Sequence, residues 1–464
     1  MKYLAGNESV NNMFESINPA TGKTIRTYSK TTQIQGPIEE VHQSWLNYRH
    51  TSWEQRTKWM FNLAEELRTQ RSSLAQLMTD EMGKVIGEAL AEVDKCAWVC
   101  DYYAKHAAEF LKPEKVTTDA SESYVAYEPL GVILAVMPWN FPFWQVFRFA
   151  APALMAGNTA LLKHASNVSG CALAIESLIV RAGFPHQVFK TLLISSDRVK
   201  EVIAHPAVKA VTLTGSEAAG RSVAGTAGSY LKKCVLELGG SDPYVILADA
   251  DVELAVETCV KSRLINAGQS CIAAKRFILV PEIYDAFTAR FIERMKQIKV
   301  GDPQGEDTGI GPMARRDLRD ELHNQVVRSV AMGAKILLGG SIPEGEGAYY
   351  PPTVLAEVTP EMPAFNEELF GPVAPMIRAE NEEHALSLAN DSDFGLGAAL
   401  FTRDLQRGKT LAEHHFQSGS CFVNGLVKSD PRLPFGGINH SGYGRELSHH
   451  GIKEFVNIKT VWIK

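Results

Sequence analysis

The sequence predicts an α/β protein whose centre is a doubly wound parallel sheet. Short apolar runs alternate with helical segments between Val132 and Leu247. These runs are mainly apolar, as expected for strands that are buried on both faces of a parallel sheet. A mostly helical segment precedes them, and a second α/β stretch runs from about residue 251 to 430.

Each element of the first sheet has its own signal. The predicted strands are Val132–Val136, Thr159–Leu162, Val188–Leu193, Val208–Leu213 and Cys234–Leu238. The segments between them, roughly 145–155, 168–182, 197–204 and 216–228, show helical periodicity.

The two ends of the chain show other patterns. Gln55–Gln70 and Glu81–Phe110 have helical spacing, and Pro113 follows as a stop signal. Ser121–Glu128 and the alternating tail Ile452–Ile463 are predicted to be strands.

Composition excludes several classes of protein. The 464 residues are 45% hydrophobic and 22% charged, with a formal net charge of −6. Such a chain lacks the basic footprint of a nucleic-acid binder. Its longest apolar runs, such as Val132–Pro138, are far shorter than the roughly 20 residues that span a bilayer. Met1–Asn12 lacks the apolar stretch of a secretory signal.

The seven cysteines are scattered singly, which favours reduced thiols in a cytoplasmic protein. Cys96 and Cys100 lie one helical turn apart, but no nearby His or acidic cluster completes a metal site. We therefore expect no metal.

Cys271 is the first candidate for chemistry. It ends the segment Asn266–Cys271, where small residues and glycine favour a tight turn with an accessible thiol. A buried structural cysteine would fit the same local sequence.

Glu237 and Asn140 each follow a predicted strand. Open α/β sheets bind ligands at the carboxyl ends of their strands, and partial burial there would raise the pKa of Glu237 toward that of a general base. Two prolines in Pro138–Pro142 fix the direction of the Asn140 amide, as an oxyanion hole requires. A surface acid and a turn-stabilising Asn are the alternatives.

No G-x-G-x-x-G motif follows a predicted strand. Instead, Gly215 and Ser216 lie between a strand and a helix, where backbone N–H groups can hold a phosphate. Lys163, at the end of the preceding strand, could reach a ribose hydroxyl.

Together these motifs resemble those of the aldehyde dehydrogenase superfamily. The resemblance runs from Asn18–Gly22 to Gly442–Glu446. Its most specific parts are Pro138–Pro142, Glu237–Gly240, Gly268–Cys271, Glu368–Pro372 and Pro434–Gly437.

The resemblance implies a role for each residue. Cys271 is the nucleophile, Asn140 is the oxyanion donor, and Glu237 activates the water that hydrolyses the thioester. A base at 237 favours release of a free acid over transfer to coenzyme A. Residues implied to contact the nicotinamide cofactor are Trp139, Lys163, Gly215, Ser216, Glu368 and Phe370.

The cofactor strand departs from the commonest family pattern. Ser166 stands where the family often has a Glu that would repel a 2′-phosphate. We therefore expect NADP or NAD, with NADP favoured.

The substrate end resembles that of succinate-semialdehyde dehydrogenases. Arg148 and Ser429 match their contacts to a distal carboxylate, whereas Ile265 replaces a second Arg. Arg148 lies eight residues after Asn140, on nearly the same helix face, although a structural ion pair would also explain it. Glutarate semialdehyde, a broad range of aliphatic or aromatic aldehydes, and a non-catalytic binding role are the alternatives.

The resemblance also implies three structural parts and a homodimer or homotetramer. The NAD(P)-binding domain would comprise 1–112 and 130–238, and the catalytic domain 239–436. A small β oligomerisation element would comprise 113–129 and 437–464.

Overall fold

The computed structural model describes residues 12–464. Its amino-terminal part pairs a small antiparallel hairpin with four helices. The elements are β1 (Met13–Ile17), β2 (Thr24–Ser29), α1 (Gln35–Tyr48), α2 (Trp53–Thr69), α3 (Arg71–Met82) and α4 (Ile86–Phe110).

The next part of the chain builds most of a six-stranded sheet and begins a small one. The elements are β3 (Glu114–Lys115), β4 (Glu122–Pro129), β5 (Val132–Met137), α5 (Trp144–Met155), β6 (Thr159–His164), α6 (Ser169–Arg181), β7 (Phe189–Thr191), α7 (Val199–Ala204), β8 (Val208–Thr214), α8 (Glu217–Ser229) and β9 (Lys233–Glu237). Strands β9, β8, β5, β6 and β7 lie side by side in that order and run parallel.

Burial on both faces explains why strand β5 is apolar throughout. Along β5, Val132 and Leu134 belong to one hydrophobic core, whereas Ile133 and Ala135 belong to another. Alternate side chains of a strand point to opposite faces of the sheet. Helices therefore cover both faces of this sheet, as in a doubly wound fold.

A second sheet has seven strands and its own core. The elements are β10 (Pro243–Ile246), α9 (Val252–Leu264), β11 (Arg276–Leu279), α10 (Pro281–Lys296), α11 (Arg316–Ala331), β12 (Lys335–Leu338), β13 (Thr353–Ala356), α12 (Pro363–Asn366), β14 (Val373–Arg378), α13 (Glu382–Asn390), β15 (Gly397–Phe401), α14 (Leu405–His414) and β16 (Ser420–Val423). Its strand order is β12-β13-β14-β11-β10-β15-β16, and only β12 is antiparallel to its neighbour.

The carboxyl-terminal residues return to two earlier parts of the chain. They form β17 (Gly442–Tyr443), α15 (Ser448–Lys453) and β18 (Val456–Ile463). Strand β17 pairs with β9 at the edge of the first sheet, while β18 pairs along the whole of β4 in a small antiparallel sheet.

The predicted α/β class and the parallel first sheet are confirmed. Two local predictions differ from the structure in their bounds. The segment with helical spacing from Glu81 to Phe110 is mostly helical, but it is interrupted because α3 ends at Met82 and Gly83 adopts a left-handed conformation with φ of 79°. The predicted strand Ile452–Ile463 begins late, because Ile452 and Lys453 complete α15.

No helix among residues 12–464 is long and apolar enough to cross a membrane. In that same part of the chain, no group of three His, Cys, Asp or Glu side chains could hold a metal ion.

Candidate active site

The polar candidates lie together at the carboxyl ends of the parallel strands of the first sheet. Asn140 follows β5, Gly215 follows β8, and Glu237 ends β9. These strands are neighbours and parallel, so their carboxyl ends lie together. Ligands of open α/β sheets bind at this edge.

Cys271 lies where two cavities meet. One cavity, of about 350 Å³, is lined by Trp139, Gly215, Glu368 and Cys271 among others. The other, of about 310 Å³, is also lined by Cys271. A thiol in this position can contact a molecule in either cavity.

The loop before Cys271 has an unusual backbone. Asn266, Ala267 and Gly268 have φ values of 53°, 54° and 76°, all in the left-handed region. Asn266 Nδ2 donates to the carbonyl oxygens of Asn140 at 2.7 Å and of Gln269 at 3.1 Å. These bonds tie the nucleophile loop to the Asn140 loop.

Gly268 allows this loop to pass close to the segment Glu368–Pro372. A Cβ atom at residue 268 would lie 2.3 Å from the carbonyl oxygen of Gly371. Such an approach is far closer than van der Waals contact, so only glycine fits.

Cys271 is partly exposed to the two cavities, and the desolvation of its thiol raises its pKa to about 12. Arg148 and Lys275 oppose this rise, whereas Glu368 and Glu237 add to it. The nucleophilic form of cysteine is the thiolate. The resting thiol therefore has to lose a proton to a base or to solvent before it can attack.

Glu237 is only 2% exposed, and neither carboxyl oxygen has a hydrogen-bond partner within the described chain. Burial raises its pKa well above the usual value, Arg148 opposes the rise, and Glu446 adds to it. Gly436 makes room for this carboxyl group, since a Cβ atom there would lie 2.6 Å from Glu237 Oε1. A buried, unpaired acid with a raised pKa is suited to general-base chemistry near neutral pH.

Asn140 is also buried, at 4% exposure. Its Nδ2 donates to the Gln269 carbonyl at 3.1 Å, while its Oδ1 has no partner in residues 12–464. His164 steadies the same loop, because its Nε2 lies 2.8 Å from the Pro142 carbonyl. Burial lowers the pKa of His164 to about 4, so the ring is neutral and donates one hydrogen bond there.

The larger cavity fits a nicotinamide cofactor. Trp139 and Phe370 meet edge to face at 5.8 Å and form an aromatic wall. Glu368 Oε1 accepts from Lys275 Nζ at 2.8 Å and from the Gly240 N–H at 3.1 Å. This carboxylate is therefore fixed at the cavity edge, where a ribose hydroxyl could reach it.

The phosphate-binding candidates lie farther along this edge. Ser216 caps α8, and its hydroxyl accepts from the Ala219 N–H at 3.4 Å. Lys163 lies in β6, next to β5, and Ser166 is exposed in the 3₁₀ turn that follows. No carboxylate pairs with Lys163 in the described chain, and burial lowers its pKa.

The smaller cavity is mostly apolar. Its apolar lining comprises Ala91, Phe141, Trp144, Ile265, Ile272, Leu426, Val427 and Phe435. Ile265 lies in this lining, at the position where the resemblance implies a second Arg.

Arg148 reaches this cavity, but it is already paired. It is 1% exposed and forms an ion pair with Glu446, which is 4% exposed. Its guanidinium lies 4.5 Å from the centre of the Phe435 ring and donates to Thr214 Oγ1 at 3.3 Å.

Ser429 lines the same cavity and accepts a hydrogen bond from Lys95 Nζ at 2.8 Å. Four residues of the site were not predicted from the sequence: Lys95, Lys275, His164 and Glu446. Lys275 had a weak signal, since it lies four residues after the candidate nucleophile.

Comparison with known proteins agrees with this geometry. Residues 5–461 match the model of the aldehyde dehydrogenase family. A probable NADP(+) succinate-semialdehyde dehydrogenase of Synechocystis sp. is 50% identical, over 97% of this chain and 99% of the relative. The Escherichia coli K12 succinate semialdehyde dehydrogenase [NAD(P)+] Sad is 49% identical, over 96% and 97%.

Solved structures show the same fold. The succinic semialdehyde dehydrogenase of Streptococcus pyogenes, solved with NADP+, superposes with a TM-score of 0.95 and 39% identity. The match covers 97% of this chain and 99% of that one. The predicted resemblance is confirmed, and the chain is a member of the aldehyde dehydrogenase family.

Proposed function

We propose that this protein oxidises succinate semialdehyde to succinate with NADP or NAD. The observation that carries the proposal is the meeting of two cavities at Cys271, one suited to a nicotinamide cofactor and the other apolar with cationic side chains. Similarity to succinate-semialdehyde dehydrogenases over the whole chain supports the choice of substrate.

The chain's own residues would perform the reaction in two stages. The Cys271 thiolate attacks the aldehyde carbon, and the Asn140 amide and the Cys271 backbone N–H hold the resulting oxyanion. A bound nicotinamide cofactor would supply the hydride acceptor, and loss of the hydride from the thiohemiacetal would leave a thioester on Cys271. Glu237 then removes a proton from water, and the water attacks the thioester and releases the acid.

Three residues would orient the cofactor near the reacting carbon. Glu368 holds the nicotinamide ribose, while Phe370 and Trp139 wall the ring. Gly215 and Ser216 hold the pyrophosphate at the start of α8, where backbone N–H groups and the helix dipole favour an anion.

Lys163 and Ser166 would contact the adenosine ribose. Ser166 brings no negative charge to a 2′-phosphate, and Lys163 brings a positive one, so we propose a preference for NADP. The relatives from Synechocystis and Escherichia coli are named as NADP(+) and NAD(P)+ enzymes, which supports the same proposal.

The distal carboxylate of the substrate would lie toward Ser429, with the charge of Arg148 nearby. We also propose cytoplasmic homodimers or homotetramers, with the domain division described above. The exposed edge of the small β18–β4–β3 sheet supports an oligomerisation role for that element.

A substrate panel tests the proposed function. We expect kcat/KM for succinate semialdehyde to exceed that for butanal by about tenfold or more, as a charge-assisted contact to the carboxylate would give. Glutarate semialdehyde should fall between them. Equal or higher kcat/KM with butanal would instead support a broad-specificity aldehyde dehydrogenase.

The same panel, run with both cofactors, tests the NADP preference. A higher kcat/KM with NAD than with NADP would contradict it, and a hundredfold difference would correspond to nearly 3 kcal/mol.

Glu237→Gln tests the second stage. We expect kcat to fall by about 10²- to 10⁴-fold, because water is no longer activated. The first turnover should still appear as a burst of reduced cofactor, since the thioester forms and accumulates. Loss of the burst together with kcat would place Glu237 in the first stage instead.

A further inference from the structure

A carboxylate that enters the apolar cavity needs a positive charge that no acid has already neutralised. Desolvating an unpaired carboxylate is costly. A cationic side chain in the cavity therefore determines whether a carboxylated aldehyde can bind. Arg148 does not meet this requirement, because Glu446 pairs with its guanidinium in a buried site. An incoming carboxylate would have to compete with Glu446.

Lys95 does meet it. It lies on α4, where Glu88, Glu92 and Lys95 repeat at one-turn spacing and line the cavity. Its Nζ lies 2.8 Å from Ser429 Oγ and 4.2 Å from the centre of the Trp144 ring. The ammonium group is thus held at the cavity wall by a neutral hydroxyl and an aromatic face.

The acids near Lys95 have other partners. Glu92 pairs with Lys84, and its Oε1 accepts from the Phe143 and Trp144 N–H groups at 2.9 Å each. Asp430 instead binds Arg432 through two hydrogen bonds.

Within residues 12–464, no carboxylate oxygen lies within 4.0 Å of Lys95 Nζ. Its positive charge therefore remains available to a ligand.

We propose that Lys95 is the specificity-determining residue for the substrate's carboxylate. Its ammonium group binds one carboxylate oxygen, and the Ser429 hydroxyl turns to donate to the other. This inference rests on the proposed function and assigns its charge recognition to Lys95. Arg148 then acts mainly on the reacting end, where it offsets the negative charge of Glu446 and Glu237.

The charge state of Lys95 provides a second readout. Burial, together with the Arg148 charge, lowers its pKa to about 8, while Cys96, Glu92 and Asp430 oppose the shift. The cationic form therefore predominates below pH 8 and is lost above it. Selectivity for carboxylated aldehydes should fall as the pH rises through 8.

Lys95→Met tests the inference, with Lys105→Met as the matched control. Lys105 is an exposed lysine on the same helix, and it does not line the cavity. We expect Lys95→Met to lower kcat/KM for succinate semialdehyde by about 10- to 100-fold. For butanal, kcat/KM should change less than about threefold, which also shows that the variant is folded.

Inhibition by succinate gives a readout that does not depend on turnover of the semialdehyde. Succinate should inhibit butanal oxidation by the unaltered enzyme competitively. The inhibition constant should rise about tenfold or more in Lys95→Met, and Lys95→Arg should recover part of the loss.

The outcomes separate the two proposals. If the unaltered enzyme does not prefer succinate semialdehyde to butanal, the proposed function fails. If it does, but Lys95→Met keeps that preference, Lys95 is not the selecting residue. Lys261 and Lys428 are two exposed lysines that also line the cavity. If Lys261→Met or Lys428→Met abolishes the preference for succinate semialdehyde and Lys95→Met does not, the inference is also overturned.

Discussion

Replacing Arg148 by Met should destabilise the protein mainly through the acid that it leaves behind. Arg148 and Glu446 form a buried ion pair at 1% and 4% exposure. Removing one partner of such a pair costs about 3–5 kcal/mol, because the other charge stays buried without compensation. Replacing both by apolar residues of similar volume is often nearly neutral.

The assay is a double-mutant cycle with Arg148→Met, Glu446→Leu and the double variant, each unfolded in urea. We expect each single variant to lose about 3–5 kcal/mol and the double variant to lie within about 1–2 kcal/mol of the unaltered protein. Additive losses in the double variant would refute the reasoning, since they would mean that the two side chains act independently.

The same substitution has a kinetic signature. The Arg148 charge lowers the pKa of Glu237 against the effect of burial. Without that charge the pKa rises further, and the base is deprotonated only at higher pH. The acid limb of kcat for butanal should therefore shift to higher pH in Arg148→Met. An unchanged limb would show that Arg148 does not act on the base.

Three further substitutions or measurements follow from the site. Alkylation of Cys271 by iodoacetamide should accelerate about tenfold per pH unit between pH 6.5 and 9, because its thiol pKa is raised to about 12; a plateau near neutral pH would contradict that shift. Ser166→Glu should lower kcat/KM with NADP by about tenfold or more relative to NAD through repulsion of the 2′-phosphate, whereas the uncharged Ser166→Gln should not. Gly268→Ala should lower kcat by about a hundredfold or more by displacing the nucleophile, since its Cβ atom would meet the Gly371 carbonyl at 2.3 Å; near-normal kcat would show that the loop can relax.

The strands of the first sheet were predictable because most of their consecutive residues are buried and therefore apolar. Strand β5 fills a core on each face, and its sequence is apolar throughout. The break at Gly83 was not predictable from periodicity, since helical spacing continues through it. It depends on a distant contact: a Cβ atom at Gly83 would lie 2.8 Å from the Pro312 ring.

In the active site, too, residues in local motifs were predictable, whereas residues that depend on distant contacts were not. Cys271, Glu237 and Asn140 lie in local motifs that are recognisable from sequence, and the fold brings their segments together. Lys95 was missed because its partner Ser429 lies 334 residues away. Spacing suggested that Arg148 could face the pocket, but nothing nearby in sequence showed that Glu446 would neutralise it.

The left-handed run before Cys271 has a consequence for engineering this enzyme. Left-handed conformations cost about 1–2 kcal/mol for each residue other than glycine, and Asn266 and Ala267 both adopt them. Stabilising substitutions are usually sought where the backbone is strained. Here such a substitution would relax the turn that aims the thiol, and Asn266 would carry the movement to the Asn140 loop through its bond to that carbonyl. A thermostable variant of this protein should therefore be sought in the helices far from residues 266–271.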